Sequence, residues 1–167
     1  MHCDLKPENI LLQSKTSNQI KIIDLGLSEI VEKSGSLRSE RGSIYYLAPE
    51  MILKNYNYKV DIWSAGIIFY VLLTGNPPFN AVNRDKMGVK YLDNNKIKKK
   101  ILSGKINYSH QVFQGEGKVF AKLIGYMLES NPKNRPEAKQ LLKHPFFQKK
   151  IDVKVSKEGN FKTFLLL

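Results

Sequence analysis

The stretch "DIWSAGIIFYVLLTG" (61–75) is apolar on nearly every side when read at helical spacing. A helix without a polar face is one covered all round, so the pattern predicts a central buried helix. Asp61 stands where an N-cap would, and Gly75 marks the end ahead of "NPPF". The apolar part falls short of the ~18 residues that would suggest a membrane span. Two short β-prone runs, "ILL" (10–12) and "IKII" (20–23), flank the polar turn "QSKTSNQ" and predict a hairpin. Farther on, Val119, Phe120, Leu123, Ile124, Met127 and Leu128 fall on one stripe and predict a helix over 118–130. A further helix is predicted over 134–143, with Pro136 near its first turn and its stop before an "HPFF" turn. Between the hairpin and the central helix, residues 24–50 are rich in Ser, Gly and charge and show little periodicity. A connection of that length inside a compact domain is functional or disordered. No internal repeat is visible, and little order is predicted for the tail 151–167.

At 167 residues one domain is the default, and 42% hydrophobic with 25% charged residues is ordinary for a soluble globular protein. The single cysteine, Cys3, allows no internal disulfide and suits a reducing compartment. "MHCDLKPEN" has neither a basic n-region nor a long apolar core, so the reading places the protein in the cytoplasm with no signal peptide. The net charge of +12 lies wholly in residues 81–167, concentrated in "KIKKK" (96–100) and "KK" (149–150). Ile97, Ile101 and Leu102 fall on one side of a helix there, which leaves Lys98, Lys99 and Lys100 mostly to water. The basic run is therefore read as a solvated face, and no nucleic acid is expected.

The chain opens "MHCDLKPENILLQ", with polar groups at tight spacing just before the hairpin. A hairpin brings its ends together, so Asn9 before it and Asp24 after it should come within reach of one ion. An amide oxygen and a carboxylate suit magnesium, with water and phosphate completing its shell, better than zinc. Lys6 adds a positive charge for a transferring phosphoryl group, and Asp4 is left to orient a hydroxyl nucleophile. The set implies phosphoryl transfer.

"HCDLKPEN" resembles the catalytic loop of protein kinases, H-R-D-L-x-x-x-N, and "DLG" resembles their D-F-G metal-binding motif. "APE" (48–50) resembles the end of their activation segment, "DIWSAGIIFYVLLTGNPPF" their central helix, and "NPKNRP" the segment carrying the arginine that pairs with the APE glutamate. The resemblance implies a mainly α fold, a protein-kinase-like C-terminal lobe with a small β-hairpin at the catalytic loop. It implies a partial kinase domain over 1–150 and a tail, 151–167, at the start of a regulatory junction. Carried over, Asp4 would be the catalytic base, Lys6 would steady the γ-phosphate of ATP, and Asn9 and Asp24 would hold Mg2+. Glu8 and Ser43 would meet the protein substrate. Glu50 and Arg135 would form a buried ion pair, and Asp61 would hold the catalytic-loop backbone. "LKPEN" is the Ser/Thr-kinase form. "KIIDLGLS", "GSIYYLAPE" and "LLTGNPPF" are most similar to the calcium-dependent kinases of plants and apicomplexan parasites, in which calcium-binding EF-hands follow the catalytic domain. No D-x-[DN]-x-[DN]-G loop occurs in the 167 residues.

The pattern departs at three places. Nothing in the sequence resembles the Gly-rich loop, the strand lysine or its glutamate partner, so these residues alone are expected to lack useful kinase activity. The alternative function is a kinase-lobe binding module that transfers nothing. Cys3 stands where the family has the arginine that receives an activation-loop phosphate, so Ser34, Ser36 and Ser39 are read as plain loop residues. Leu25 replaces phenylalanine and is expected to form a smaller apolar plug. His2 is read as packing under the loop, and His110 and His144 as structural or exposed.

Overall fold

A computed structural model describes residues 1–14, 17–30, 42–84, 86–87 and 89–148. Ser34, Ser36, Ser39, Lys149, Lys150 and the 151–167 tail lie outside the described residues. Six helices and two antiparallel strand pairs are present among those described. The first strand pair, β1 (Ile10–Leu12) and β2 (Ile20–Ile22), pairs Ile10 with Ile22 and Leu12 with Ile20. A short helix, α1 (Pro49–Ile52), follows a 3-10 turn at Ile44–Tyr46.

The central helix α2 (Val60–Thr74) ends at Gly75. Lys59, not Asp61, occupies its N-cap, and no side chain caps it. The Asp61 carboxylate is drawn away to another segment, described below. Val60, Trp63 and Ile67 of α2 are fully buried, and the Trp63 ring stacks on Phe79 at 5.8 Å between centroids. α2 lies against α4 (Lys118–Met127) with Gly66 at the contact. A Cβ on Gly66 would sit 2.8 Å from Met127 Cβ and 2.9 Å from Leu128 Cδ2, so hydrogen is the side chain this approach permits.

No strand is predicted between the central helix and the basic run, yet β3 (Val82–Arg84) and β4 (Lys90–Leu92) pair there as an antiparallel hairpin. Polar and apolar residues share its faces, and neither face is buried, so no alternation marks it. The basic run forms α3 (Asn94–Ser103), where Ile97 and Ile101 are buried and Lys99 and Lys100 exposed. Leu102 departs from the expected stripe at 43% exposure. The helix expected over 134–143 shrinks to α5 (Ala138–Leu141), because a capping box between Glu137 and Gln140 starts it after Pro136. "HPFF", read as a turn, instead opens α6 (Pro145–Gln148), with Pro145 at its first position.

Leu25 is 69% exposed and plugs nothing. Asp24 adopts φ +62 immediately before it, and the chain turns Leu25 outward. Leu12, Ile20 and Ile22 share one face of the first hairpin and Leu11 stands on the other, and with Leu25 each of them is 48% exposed or more. A polypeptide of these residues is expected to bind a hydrophobic dye strongly. Leu12→Lys with Ile20→Lys should cut the fluorescence by about half or more; an undiminished signal would place the dye elsewhere.

Candidate active site

Asp4 sits on a loop whose backbone is held from below by α2. Asp61 accepts hydrogen bonds from the His2 and Cys3 N–H groups at 2.7 and 3.0 Å. Cys3, buried, takes φ +69, a left-handed conformation unusual for a residue with a Cβ. The two bonds to one carboxylate offset that conformational cost, and they explain why Asp61 does not cap its own helix. His2 ties the loop sideways: its Nδ1 accepts from the Asp4 N–H at 3.3 Å, and its Nε2 lies 3.0 Å from the Ile23 carbonyl. The acceptor role of Nδ1 puts the ring proton on Nε2, which donates to Ile23. His2 therefore joins the loop to the residue preceding Asp24, rather than simply packing beneath it.

Asp4 is buried, and its carboxylate is surrounded by donors. Oδ2 lies 2.8 Å from Lys6 Nζ and accepts from Asn9 Nδ2 at 3.4 Å, while Oδ1 accepts from the Ser43 N–H at 3.0 Å and the Ser43 hydroxyl at 3.3 Å. Burial alone would raise the carboxyl's pKa. The hydrogen bond from Lys6, the Ser43 N–H and the Lys6 charge outweigh it and hold the pKa below the ordinary value. The same contact with Asp4 raises the pKa of Lys6. Both groups are charged at neutral pH. A carboxyl depressed on folding contributes stability that is complete above the unfolded pKa and lost as pH falls through the folded one. Wild type should therefore lose its stability advantage over Asp4→Asn only below about pH 4, measured by urea unfolding across an acid series.

Asn9 donates through Nδ2 to the Asp4 carbonyl at 2.9 Å, which leaves its Oδ1 uncommitted to that bond. Its own carbonyl accepts from the Ile23 N–H at 2.9 Å, so Asp24 follows the residue directly across from Asn9. Asp24 is exposed, and its Oδ1 accepts the Gly26 N–H at 3.2 Å. Hairpin register thus brings the Asn9 and Asp24 positions to the same end of the β1–β2 pair. Among the described residues, no group of three or more His, Cys, Asp and Glu is arranged to hold a metal. One amide oxygen and one carboxylate are nonetheless hard oxygen donors of the kind Mg2+ takes, with water and phosphate making up the remainder.

Glu8 and Ser43 line one groove of about 360 Å³, together with Tyr45, Tyr46, Val71 and Asn80. Glu50 and Arg135 are not among its lining residues. Arg135, fully buried, donates to both Glu50 oxygens, at 2.5 and 3.0 Å, and to the carbonyls of Lys59 and Glu129 at 2.9 Å each. His110 is exposed and accepts the Val112 N–H at 3.2 Å, whereas His144 is buried and accepts the Phe146 N–H at 3.2 Å.

Gly42 belongs to this site although no motif marks it. It takes φ +91, and a Cβ there would lie 2.7 Å from the Cys3 carbonyl and 3.3 Å from Asp4 Oδ1. Only glycine lets the Ser43 segment come this close to Asp4; the signal available was a glycine directly before a candidate serine. Gly42→Ala should cost about 1–3 kcal/mol in chemical denaturation, through both strain and clash. A change below about 0.5 kcal/mol would show that the segment moves freely aside.

The chain belongs to the protein kinase domain family, whose sequence model matches residues 1–147. It is similar to calcium-dependent protein kinase 13 of Arabidopsis thaliana, at 43% identity over 150 residues, covering 89% of this chain and 26% of that protein. Calcium-dependent protein kinase 19 of Oryza sativa subsp. japonica is 39% identical over 149 residues, with the same coverage of 89% and 26%. Calcium-dependent protein kinase 19 of Arabidopsis thaliana is 40% identical over 150 residues, covering 89% of this chain and 25% of the relative. The chain spans about a quarter of the length of these curated relatives. No helix among the described residues is long and apolar enough to cross a membrane.

Proposed function

We propose that this chain is the C-terminal, catalytic-loop lobe of a Ser/Thr protein kinase, which transfers the γ-phosphate of ATP to hydroxyls of protein substrates. The observation that carries the reading is the Asp4 carboxylate, buried and ionised, 2.8 Å from Lys6 and beside the hydroxyl of Ser43. An ionised carboxylate orients an acceptor hydroxyl by taking its hydrogen bond, and it receives the proton as the new oxygen–phosphorus bond forms and the bond from the γ-phosphorus to the bridging oxygen breaks, releasing ADP. Lys6 then stands within reach of the transferring group, where its charge offsets that of the phosphoryl oxygens. Asn9 Oδ1 and the Asp24 carboxylate would hold Mg2+, which when bound neutralises phosphate charge. The groove bearing Glu8 and Ser43 takes the substrate segment, with Glu8 facing a basic side chain on it.

The exposed apolar face of the β1–β2 hairpin supports the lobe assignment. Leu12 and Ile20 are cross-strand partners on one face of the hairpin whose other end carries the Asn9 and Asp24 positions, and they offer a surface for the base of the nucleotide and for a second lobe. The calcium dependence that the relatives' names state is proposed for the parent kinase, seated outside these 167 residues.

The test is a chimera carrying the Gly-rich loop and strand lysine of the Arabidopsis relative ahead of residue 1, assayed for radiolabelled phosphate on a basic Ser peptide. Turnover is expected. A folded chimera that binds ATP yet transfers nothing would overturn the reading.

A further inference from the structure

Residues 81–105 carry eight basic and two acidic residues, a net +6 that is half of the charge of the whole chain. They build the β3–β4 hairpin and α3. The hairpin is fastened to the molecule through one face: Asn83 donates to Asp93 Oδ2 at 2.8 Å, Lys96 donates to Asn83 Oδ1 at 3.1 Å, and the Asp93 N–H donates to the Ala81 carbonyl at 3.0 Å. Side chains alternate along a strand, so Val82 and Arg84 point to the opposite face, with their cross-strand partners Leu92 and Lys90. Val82 and Leu92 are 49% and 48% exposed, and Met87, at the turn beside Lys86, is 87% exposed. A two-stranded ribbon is marginal by itself in water, and this one holds its apolar groups outward among lysines.

The geometry points to an anionic lipid bilayer as the partner of this surface. The apolar groups protrude from a ribbon instead of lining a cleft, so they suit entry into a headgroup boundary, with Lys86 and Lys90 at headgroup level. The cations of α3, Lys99 among them, add to the attractive field within a Debye length of the surface. A nucleic acid is the poorer match, because phosphates and base edges would leave Val82, Leu92 and Met87 in water, and Tyr91 is the one aromatic side chain on the hairpin available for stacking. Asn80, two residues before β3, lines the groove that holds Glu8 and Ser43, so docking keeps that groove at the bilayer.

The experiment is co-sedimentation of the 167-residue chain with vesicles of phosphatidylcholine alone or with about one-third phosphatidylserine. Binding to the anionic vesicles is expected to be about tenfold or more tighter and to weaken in high salt. Lys86→Glu and Lys90→Glu should each reduce it about fivefold or more, and Met87→Asp, or the milder Met87→Ser, should reduce it as well. Leu142→Ser, at an exposed apolar position outside both hairpins, should leave it unchanged. Thermal melts establish that each variant is folded, which its exposed site favours. Equal binding to both vesicles, or full binding by the Met87 and lysine variants, overturns the proposal. So does tighter capture by duplex DNA or polyglutamate than by the anionic vesicles.

Discussion

Asp24→Ala in the two-lobed chimera abolishes phosphoryl transfer, and Asp4→Asn lowers it by about 10²–10⁴-fold, while Cys3→Ala changes it little. The first change removes the carboxylate of the proposed metal pair, and the phosphate charge is then uncompensated. The second keeps the shape of the Asp4 side chain but removes its charge. Lys6, 2.8 Å away, loses its counter-ion, and the acceptor hydroxyl loses the group that takes its proton. Asn9→Ala should be severe as well, because it deletes both the uncommitted Oδ1 and the bond from Nδ2 to the Asp4 carbonyl. Cys3 lends the loop a backbone N–H held by Asp61 and a conformation at φ +69. Neither depends on the thiol, and no step uses it. Steady-state rates on one peptide, with ATP binding measured alongside, give the ordering. If Cys3→Ala matches Asp24→Ala in severity with folding intact, the assignment of roles is wrong.

Arg135→Met destabilises the domain by about 3–5 kcal/mol, a large share of the ~5–15 kcal/mol that holds a typical domain together. Arg135 is fully buried, and its guanidinium reaches both oxygens of Glu50, two backbone carbonyls and the face of Trp63, 5.1 Å from the ring centroid. Removing it strands the Glu50 carboxylate, 4% exposed, without a cation and leaves the Lys59 and Glu129 carbonyls without these donors. Most of the loss comes from those stranded groups and little from the pair's net attraction. The double variant Glu50→Met with Arg135→Met should therefore be less destabilised than the sum of the two single variants. Urea unfolding of the set checks this. A single-variant loss under about 1 kcal/mol would mean that water reaches Glu50.

The sequence by itself named the candidate side chains of this protein. "HCDLKPEN" and "DLG" carry the groups that the proposed phosphoryl transfer calls for, and "APE" and "NRP" carry the two partners of the buried Glu50–Arg135 pair, because spacing is written in the chain. It also determined the central helix, since fifteen residues with almost no polar interruption can be stable only when covered on all sides. The β1–β2 hairpin was legible for the same reason, as two short β-prone runs separated by a polar turn.

Tertiary structure decided what depends on a neighbour distant in sequence. Asp61 reads locally as a helix cap, yet its carboxylate serves His2 and Cys3, because two N–H groups of a buried loop need an acceptor. Leu25 reads as a core residue and lies in solvent, because the backbone turn at Asp24 sets its direction and hydrophobicity does not. Gly42 and Gly66 are silent in the sequence, where a glycine marks equally a flexible link or a close approach. Only the positions of the Cys3 carbonyl and of Met127 show that both are places where two segments meet with no space for a methyl group. The β3–β4 hairpin left no periodic signal because neither of its faces is buried in the core, and burial on one face is what writes alternation into a strand.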